Sequence, residues 1–377
     1  MAHSRQELAF GPVGFIGALF HATQIIEQLS PLTDVDPASY DALHFLEDRR
    51  LGAGLHAQLS IRVYRRHRGI RPGCYCLQGL KLDSGAGRHI GGSMFPNDGD
   101  KAADQWGRVG ATAKMRFSKT ELRYGTLQPK LPILVSNVGC LLPQTFEGGQ
   151  VTSNEIDNLT FTAGQLEHAA GRASSDSASL AVAGGYQESN KFTVAGGDYK
   201  LTKELTAQYY YANLEDYYQQ HFTGLLHVLP LVEYGSLKTD LRYFKTTSDG
   251  KNSSAVSRAS GCKFGGYTTG GVGEIDNDTW SAAFIYSLGV HAITAGYQSV
   301  SDDSNFAQLN QGGLVDKGEA GASLYLYTDR TIQTFIQSGE RTAFAQYAYD
   351  FAALGAPGLK VSVMYLTWKV QDWRHGK

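Results

Sequence analysis

From about Trp106 onward, apolar and polar residues alternate one by one through segment after segment. Few folds tolerate this pattern. In Arg108 to Phe117 the polar set is Arg108, Thr112, Lys114 and Arg116, and the apolar set is Val109, Ala111, Ala113, Met115 and Phe117. Successive side chains of a strand point to opposite faces, so such a segment has one wet face and one apolar face. The scheme repeats. Leu122 and Tyr124 alternate with Glu121 and Arg123, and Leu237, Leu241 and Tyr243 alternate with Lys238, Asp240 and Arg242. Leu205, Ala207, Tyr209 and Tyr211 follow it, as do Ile293, Ala295 and Tyr297. So do Tyr347, Tyr349 and Phe351, and then Leu359, Val361, Val363 and Tyr365.

A soluble helix would repeat its apolar residues every three or four positions. A buried parallel strand would be apolar on both faces. Two antiparallel architectures remain, a soluble β-sandwich acting as a binding module and a transmembrane β-barrel. The many charges on the polar face and the tyrosines on the apolar face fit an aqueous lumen and interfacial girdles. Connections also differ in length along the chain. Those at 197–203, 288–291 and 354–357 are short, whereas 128–148, 247–274 and 301–340 are long. Short turns on one rim and long loops on the other are expected of an outer-membrane barrel. The glycine-rich run Gly265 to Gly273 lacks the Lys-Ser/Thr of a phosphate loop and reads as a mobile loop.

Other classes are disfavoured by what the 377 residues lack. The charge balance, 34 Lys and Arg against 36 Asp and Glu, offers no basis for binding nucleic acid. No apolar stretch reaches the roughly 20 residues of a spanning helix. Gly11 to Phe20 is the longest candidate, and without a basic lead-in or a cleavage site it gives no recognisable signal peptide. Cys74, Cys76, Cys140 and Cys262 have no second Cys or His pair at zinc-like spacing, so no metal site is expected. His168, His221, His227 and His291 are scattered, and no H-E-x-x-H occurs. The expectation is no enzyme and no cofactor.

Several segments together resemble the OprD family of bacterial outer-membrane, substrate-specific porins. They include DQWGRVGATAKMRFSKTELRY, GTLQPKLPILVSNVGCLLPQTFEGG and QVTSNEIDNLTFTAGQLEHAAGRASS, then HFTGLLHVLPLVE, SLKTDLRYFKT, GYQSVSDDSNF and YDFAALGAPGLKVSVMYL. The resemblance runs from about Leu77 to Leu366, and FLED at Phe45 to Asp48 looks like the family's first strand. It implies an all-β, transmembrane antiparallel barrel, eighteen-stranded in the family, narrowed by loops folded inward. About fourteen or fifteen strands can be counted in this chain. Residues 43–377 are then an incomplete barrel with inward loops near 128–148 and 301–340, and 1–42 is an unassigned N-terminal segment. An incomplete barrel leaves open a third reading, a non-functional fragment of a porin.

Two stretches depart from the family pattern. VYRRHRGIRPGCYC, ending at Cys76, shows no periodicity. A coding sequence for it read one base later can give YTEGTVGFGLDAI, the kind of segment the family carries there. A frame error therefore accounts for the run, and residues 62–76 are expected to pack poorly. After Tyr365 the family would continue for about three strands, whereas here TWKVQDWRHGK follows.

The implied function is passive diffusion of small carboxylates or amino acids across the bacterial outer membrane. The implied partners are anionic or zwitterionic solutes, outer-membrane lipid and the barrel-assembly machinery, with a weak homotrimer admitted. Carboxylate selectivity requires fixed positive charge along the wall, and arginine supplies a planar two-point donor. Alternation points Arg108, Lys114, Arg116, Lys119, Arg123, Lys238 and Arg242 into the lumen as a basic track. Lys130, Ser136, Asn137 and Gln144 are the polar candidates of the first inward loop, and Tyr327, Asp329 and Arg330 those of the second.

Overall fold

The computed structural model describes residues 44–370 apart from 49–51, 61–68, 81–95, 100, 140–141, 186, 232–234, 270, 311–320, 330 and 332. The N-terminal segment to Ala42, Cys140 and Arg330 therefore lie outside the described residues. The chain forms one large antiparallel sheet. Its early wall strands are β1 (His44–Asp48), β2 (Gly52–Ser60), β3 (Gly69–Leu80), β4 (Gln105–Phe117) and β5 (Thr120–Leu127). Next come β6 (Thr145–Ser153), β7 (Leu159–Ala170), β8 (Phe192–Lys200), β9 (Leu205–Leu214) and β10 (Tyr218–Leu231). The last are β11 (Gly235–Ser248), β12 (Asp276–Leu288), β13 (His291–Val300), β14 (Arg341–Asp350) and β15 (Lys360–Lys369).

Each wall strand pairs with the next in chain order, the up-and-down topology of a β-barrel. A short strand, Ser177–Ser179, pairs with β7 off this path. Among the described residues the ordered pairing ends at β1 and β15, which are not joined to each other. A single sheet of this order is incompatible with the two packed sheets of a sandwich.

Alternation sorts the side chains as the sequence implies. On β4, Trp106 and Thr112 are buried and Lys114 half-buried, whereas Val109, Met115 and Phe117 are exposed on the other face. Tyr124, Phe161, Tyr209, Trp280, Phe284, Ile293 and Tyr365 continue that exposed apolar face around the wall. Such a belt would be costly in water and belongs in hydrocarbon. Two groups of rings edge it. Tyr211 packs on His221 near one rim, and His291 packs on Tyr347 and Tyr349 near the other. No helix among the described residues is long and apolar enough to cross a membrane.

The rims differ as expected. Tight connections such as Ser118–Lys119 and Gly289–Val290 lie on one, and the first residue of each has positive φ, 53° at Ser118 and 56° at Gly289. The long connections 128–144, 249–275 and 301–340 all lie on the other.

Two sequence expectations need correcting. The described part of the aperiodic run, from Gly69, is not poorly packed backbone. It belongs to β3, which pairs continuously with β4 from Gly69↔Arg116 to Leu80↔Gln105 and with β2 from Ser60↔Gly73 onward. Ladder hydrogen bonds require extended backbone rather than a side-chain pattern. Pro72, with no N–H, sits just beyond the last β2 pair and opposite Ala113 of β4. Residues 61–68, which carry most of the basic part of the run, lie outside the described residues. Nor is the glycine-rich run a loose loop. Phe264 N–H donates to Gly273 O at 2.9 Å, and Thr269 N–H donates to Asp303 O at 2.8 Å. Gly265 and Gly184 approach so closely that a Cβ on either would lie about 2.6–2.7 Å from the other's Cα.

Candidate functional site: the constriction

Three long-rim loops, the first at 128–144, the second at 171–191 and the third at 301–340, fold together inside the wall. In the first, the apolar Leu131, Ile133 and Leu134 are buried and join one cluster with Phe306, Leu309, Leu324 and Leu326 of the third. Removing these side chains from water is what turns both loops inward, at roughly 1.5–3 kcal/mol for each large residue fully buried. Backbone pairing then fixes the contact. Ser323 N–H donates to Val135 O at 3.0 Å, and Asn137 Nδ2 to Gly321 O at 3.1 Å. The loop between β7 and β8 joins through Ala181–Val182, which pairs with Leu309–Asn310. Between the first and third loops lies an open recess of about 320 Å³, bordered by Ile133, Leu134, Tyr218, Phe306 and Tyr325.

Wall residues fasten this plug. Arg108 on β4 donates to the carbonyls of Pro143, Gly171 and Ser174, tying the ends of two loops to one strand. On β11, Arg242 donates through Nε and Nη2 to both oxygens of Asp240, at 2.9 and 2.8 Å. Its guanidinium lies 3.8 Å from the ring centre of Tyr325 and 4.2 Å from that of Tyr327. It also donates to Tyr325 O at 2.9 Å, and Tyr327 Oη donates to Asp240 Oδ2 at 2.6 Å. On β13, Gln298 donates to Phe335 O at 2.8 Å and accepts from Thr328 Oγ1 at 3.1 Å. Arg242 and Gln298 belong to one register row through Ser281. The third loop is thus held at two points of the same register row.

The structure separates the expected basic track into groups. Arg108 and Arg242 are fasteners. Lys238 stands 3.8 Å from Asp240, so that one acid, 1% exposed, receives both Lys238 and Arg242. Lys114 and Arg123 face each other across the β4–β5 ladder, with Gln150 beyond Arg123 on β6. Arg123 pairs with Glu121 two residues away and is about half exposed. Arg116 is exposed and donates to Ser118 O at 3.3 Å. Lys119 is a turn residue on the short rim, 3.8 Å from Asp157, rather than part of the wall.

Of the loop candidates, Gln144 accepts from Asn137 N–H at 3.0 Å, while its amide nitrogen has no partner among the described residues. Ser136 is buried with a hydroxyl that likewise has none, and Lys130 is exposed. Tyr327 stacks on Phe344 at 5.8 Å, and Asp329 is half-buried in the turn that follows. Sequence reasoning missed Tyr325, Gln298 and the inward acid Asp198 on β8. The alternation of Ile293, Ala295 and Tyr297 leaves Gln298 on the wet face with nothing to distinguish it, whereas Asp198 falls within 197–203, which reads as a connection, although β8 runs on to Lys200. No group of metal-ligating side chains occurs among the described residues.

Comparison with known proteins adds the lineage. Residues 73–375 match the family model described as outer membrane porin, OprD family. The chain belongs to the OprD family. It is 32% identical over 299 residues to Porin D of Pseudomonas aeruginosa, which covers 78% of this chain and 62% of that protein. It is 34% identical over 294 residues to Porin-like protein GalP of Pseudomonas putida, covering 77% and 64%. The chain thus spans less than two thirds of these curated relatives. Among solved structures, Pseudomonas aeruginosa OccK8 (OprE) is similar at a TM-score of 0.75 and 44% identity, covering 84% of this chain and 78% of that one. Pseudomonas aeruginosa OpdK with vanillate is similar at 0.69 and 29%, covering 84% and 76%. This OprD-family chain is accordingly an outer-membrane β-barrel protein whose relatives are channels, not enzymes.

Proposed function

We propose that the chain provides a passive, substrate-selective path for small carboxylates and amino acids across the outer membrane. The observation that carries the reading is the facing pair Lys114 and Arg123, two inward cations on adjacent strands beside a loop plug that narrows the lumen. A narrow polar passage with fixed charge discriminates among solutes without any chemical step. The similarity to OpdK with vanillate, an aromatic carboxylate, supports an anionic solute class.

In this reading Arg123 attracts the carboxylate and Asp329 on the third loop attracts an ammonium, which together orient an amino acid. Lys130, Ser136, Asn137, Gln144 and Tyr327 border the same passage. Membrane lipid meets the apolar belt, the barrel-assembly machinery inserts the chain, and any trimer is weak. The test is liposome swelling with matched succinate, alanine and glucose. Wild-type chain should admit succinate and alanine faster than glucose, and Arg123→Ala should slow succinate most. Equal rates for all three solutes would remove the selective reading.

A further inference from the structure

Two carboxylates point into the wall near the third loop, and they are treated in opposite ways. Asp240 is neutralised by Arg242 and Lys238. Asp198 on β8 has no ion pair among the described residues. Its partners are neutral donors, Gln208 Nε2 at 2.8 Å and Tyr210 Oη at 3.2 Å, and both bind the same oxygen, Oδ1. The other oxygen has no hydrogen-bond partner among the described residues. A carboxylate held in place by neutral donors has no counter-ion to compete with an incoming cation.

The cradle is built into the wall by two glycines. Gly196 lies across the ladder from Tyr210, and a Cβ there would come within 2.5 Å of the tyrosine ring. Gly224 lies across from Gln208, and a Cβ there would sit 2.8 Å from its Oε1. Both donors can therefore lie flat along the wall and reach Asp198. Gln208 is 8% exposed, with its amide nitrogen on Asp198 and its buried Oε1 turned toward Gly224, where it has no hydrogen-bond partner among the described residues.

The cradle also sits at the narrowing. Asp198, Gln208, Gly224 and Arg242 occupy one register row across β8 to β11. The Tyr210 ring packs on Phe222 at 6.5 Å, and Phe222 packs edge-on to Tyr325 of the inward loop at 5.7 Å.

From this geometry we infer that Asp198, with Gln208 and Tyr210, is a wall-borne subsite for ammonium groups of amino acids and amines. It lies apart from the third-loop acid Asp329 and rests on the porin reading above. A solute with both charges would meet cations on β4 and β5 and this acid on β8.

The test compares wild type with Asp198→Asn, which keeps the shape and an acceptor for Gln208 and Tyr210. Folding is checked by heat-modifiable gel mobility. In planar bilayers under a potassium chloride gradient, Asp198→Asn should shift the reversal potential toward chloride. In liposome swelling, lysine entry should fall roughly three- to tenfold, the size expected for one partly wet charge-assisted contact, with succinate and glucose unchanged. Asp198→Glu should restore most of the lysine entry. In the wild-type chain, added lysine should interrupt potassium current more than added glucose. That measurement still decides the matter if Asp198→Asn does not fold. A conducting Asp198→Asn with unchanged reversal potential and lysine entry would overturn the subsite and leave the porin reading standing. So would equal interruption by lysine and glucose. If the wild-type chain does not conduct at all, the porin reading falls and the subsite with it.

Discussion

Arg123 and Arg242 look alike in the sequence, each an inward arginine on an alternating strand two residues from an acid. In the structure they belong to two different kinds of wall. On β4 and β5, Lys114 and Arg123 face each other and Arg123 is about half exposed, with Glu121 also partly in solvent. On β11 the acid is 1% exposed, and the guanidinium lies between two rings of an incoming loop. The first wall offers charge to the lumen, and the second uses charge to fix the lumen's shape. Whether a charged side chain acts on solute or on structure is decided by what covers it.

The sharpest way to break this contrast is Arg242→Ala. It leaves Asp240 buried with Lys238 at 3.8 Å as its remaining cation, removes the stacking surface of Tyr325 and Tyr327 and frees a loop contact. Loss of one member of a buried pair typically costs about 3–5 kcal/mol. The variant should lose its heat-modifiable form at clearly lower denaturant, and surviving channels should conduct more with weaker discrimination by size. Unchanged conductance would show that the third loop holds its position without the latch. Arg242→Ala combined with Asp240→Ala should recover part of the stability and none of the narrowing.

Arg108→Ala should come next. Its donors bind the carbonyls of Pro143, Gly171 and Ser174, and each donor lost from a buried or half-buried carbonyl costs about 1–3 kcal/mol. Limited proteolysis should cut the 128–144 and 171–191 loops sooner than in wild type. Protection equal to wild type would place the fastening in the apolar cluster alone.

On the other wall, Arg123→Ala should leave folding unchanged, because an exposed pair contributes little to stability. Its effect should be a three- to tenfold slower entry of succinate relative to glucose, matching about 1 kcal/mol from a partly wet contact. If Arg123→Ala instead destabilised the chain as Arg242→Ala does, the distinction between the walls would fail.

The smallest expected effect lies on the short rim. Glu155 accepts from Lys119 N–H at 2.7 Å and from the hydroxyls of Ser118 and Thr120 at 3.0 and 3.1 Å. The Lys119 N–H above all, then these hydroxyls and the Lys119 charge, hold its carboxyl below the ordinary value of 4.5. A depressed folded value means this stabilisation is present above pH 4.5 and fades as pH falls through the folded value. Glu155→Gln should therefore melt slightly below wild type at pH 7 and converge with it near pH 3. A constant gap across that range would assign the effect to shape rather than charge.

Much of this molecule is legible in its sequence. Period-two alternation is a local property set by chain geometry, so the face of Lys114, Arg123 and Arg242 followed from position alone. The long rim was also legible, because loop lengths are counted directly. The pairing of β3 was not, because ladder bonds run through the backbone and leave no mark on a run such as Gly69 to Cys76. Nor was the firmness of the Gly265 to Gly273 loop, which depends on Asp303 and Gly184, far away in sequence.

The sequence by itself determined which residues face water and which face lipid. Only the tertiary structure decided which inward charges remain available. Arg242 and Asp240 are consumed because Tyr325 and Tyr327 arrive from more than 80 residues away, guided by a loop cluster whose apolar contacts are non-local. Asp198 is spared because its neighbours across the ladder are Gln208, Tyr210 and two glycines rather than a cation. Alternation is written in each strand, whereas charge pairing depends on which strands and loops come to lie side by side.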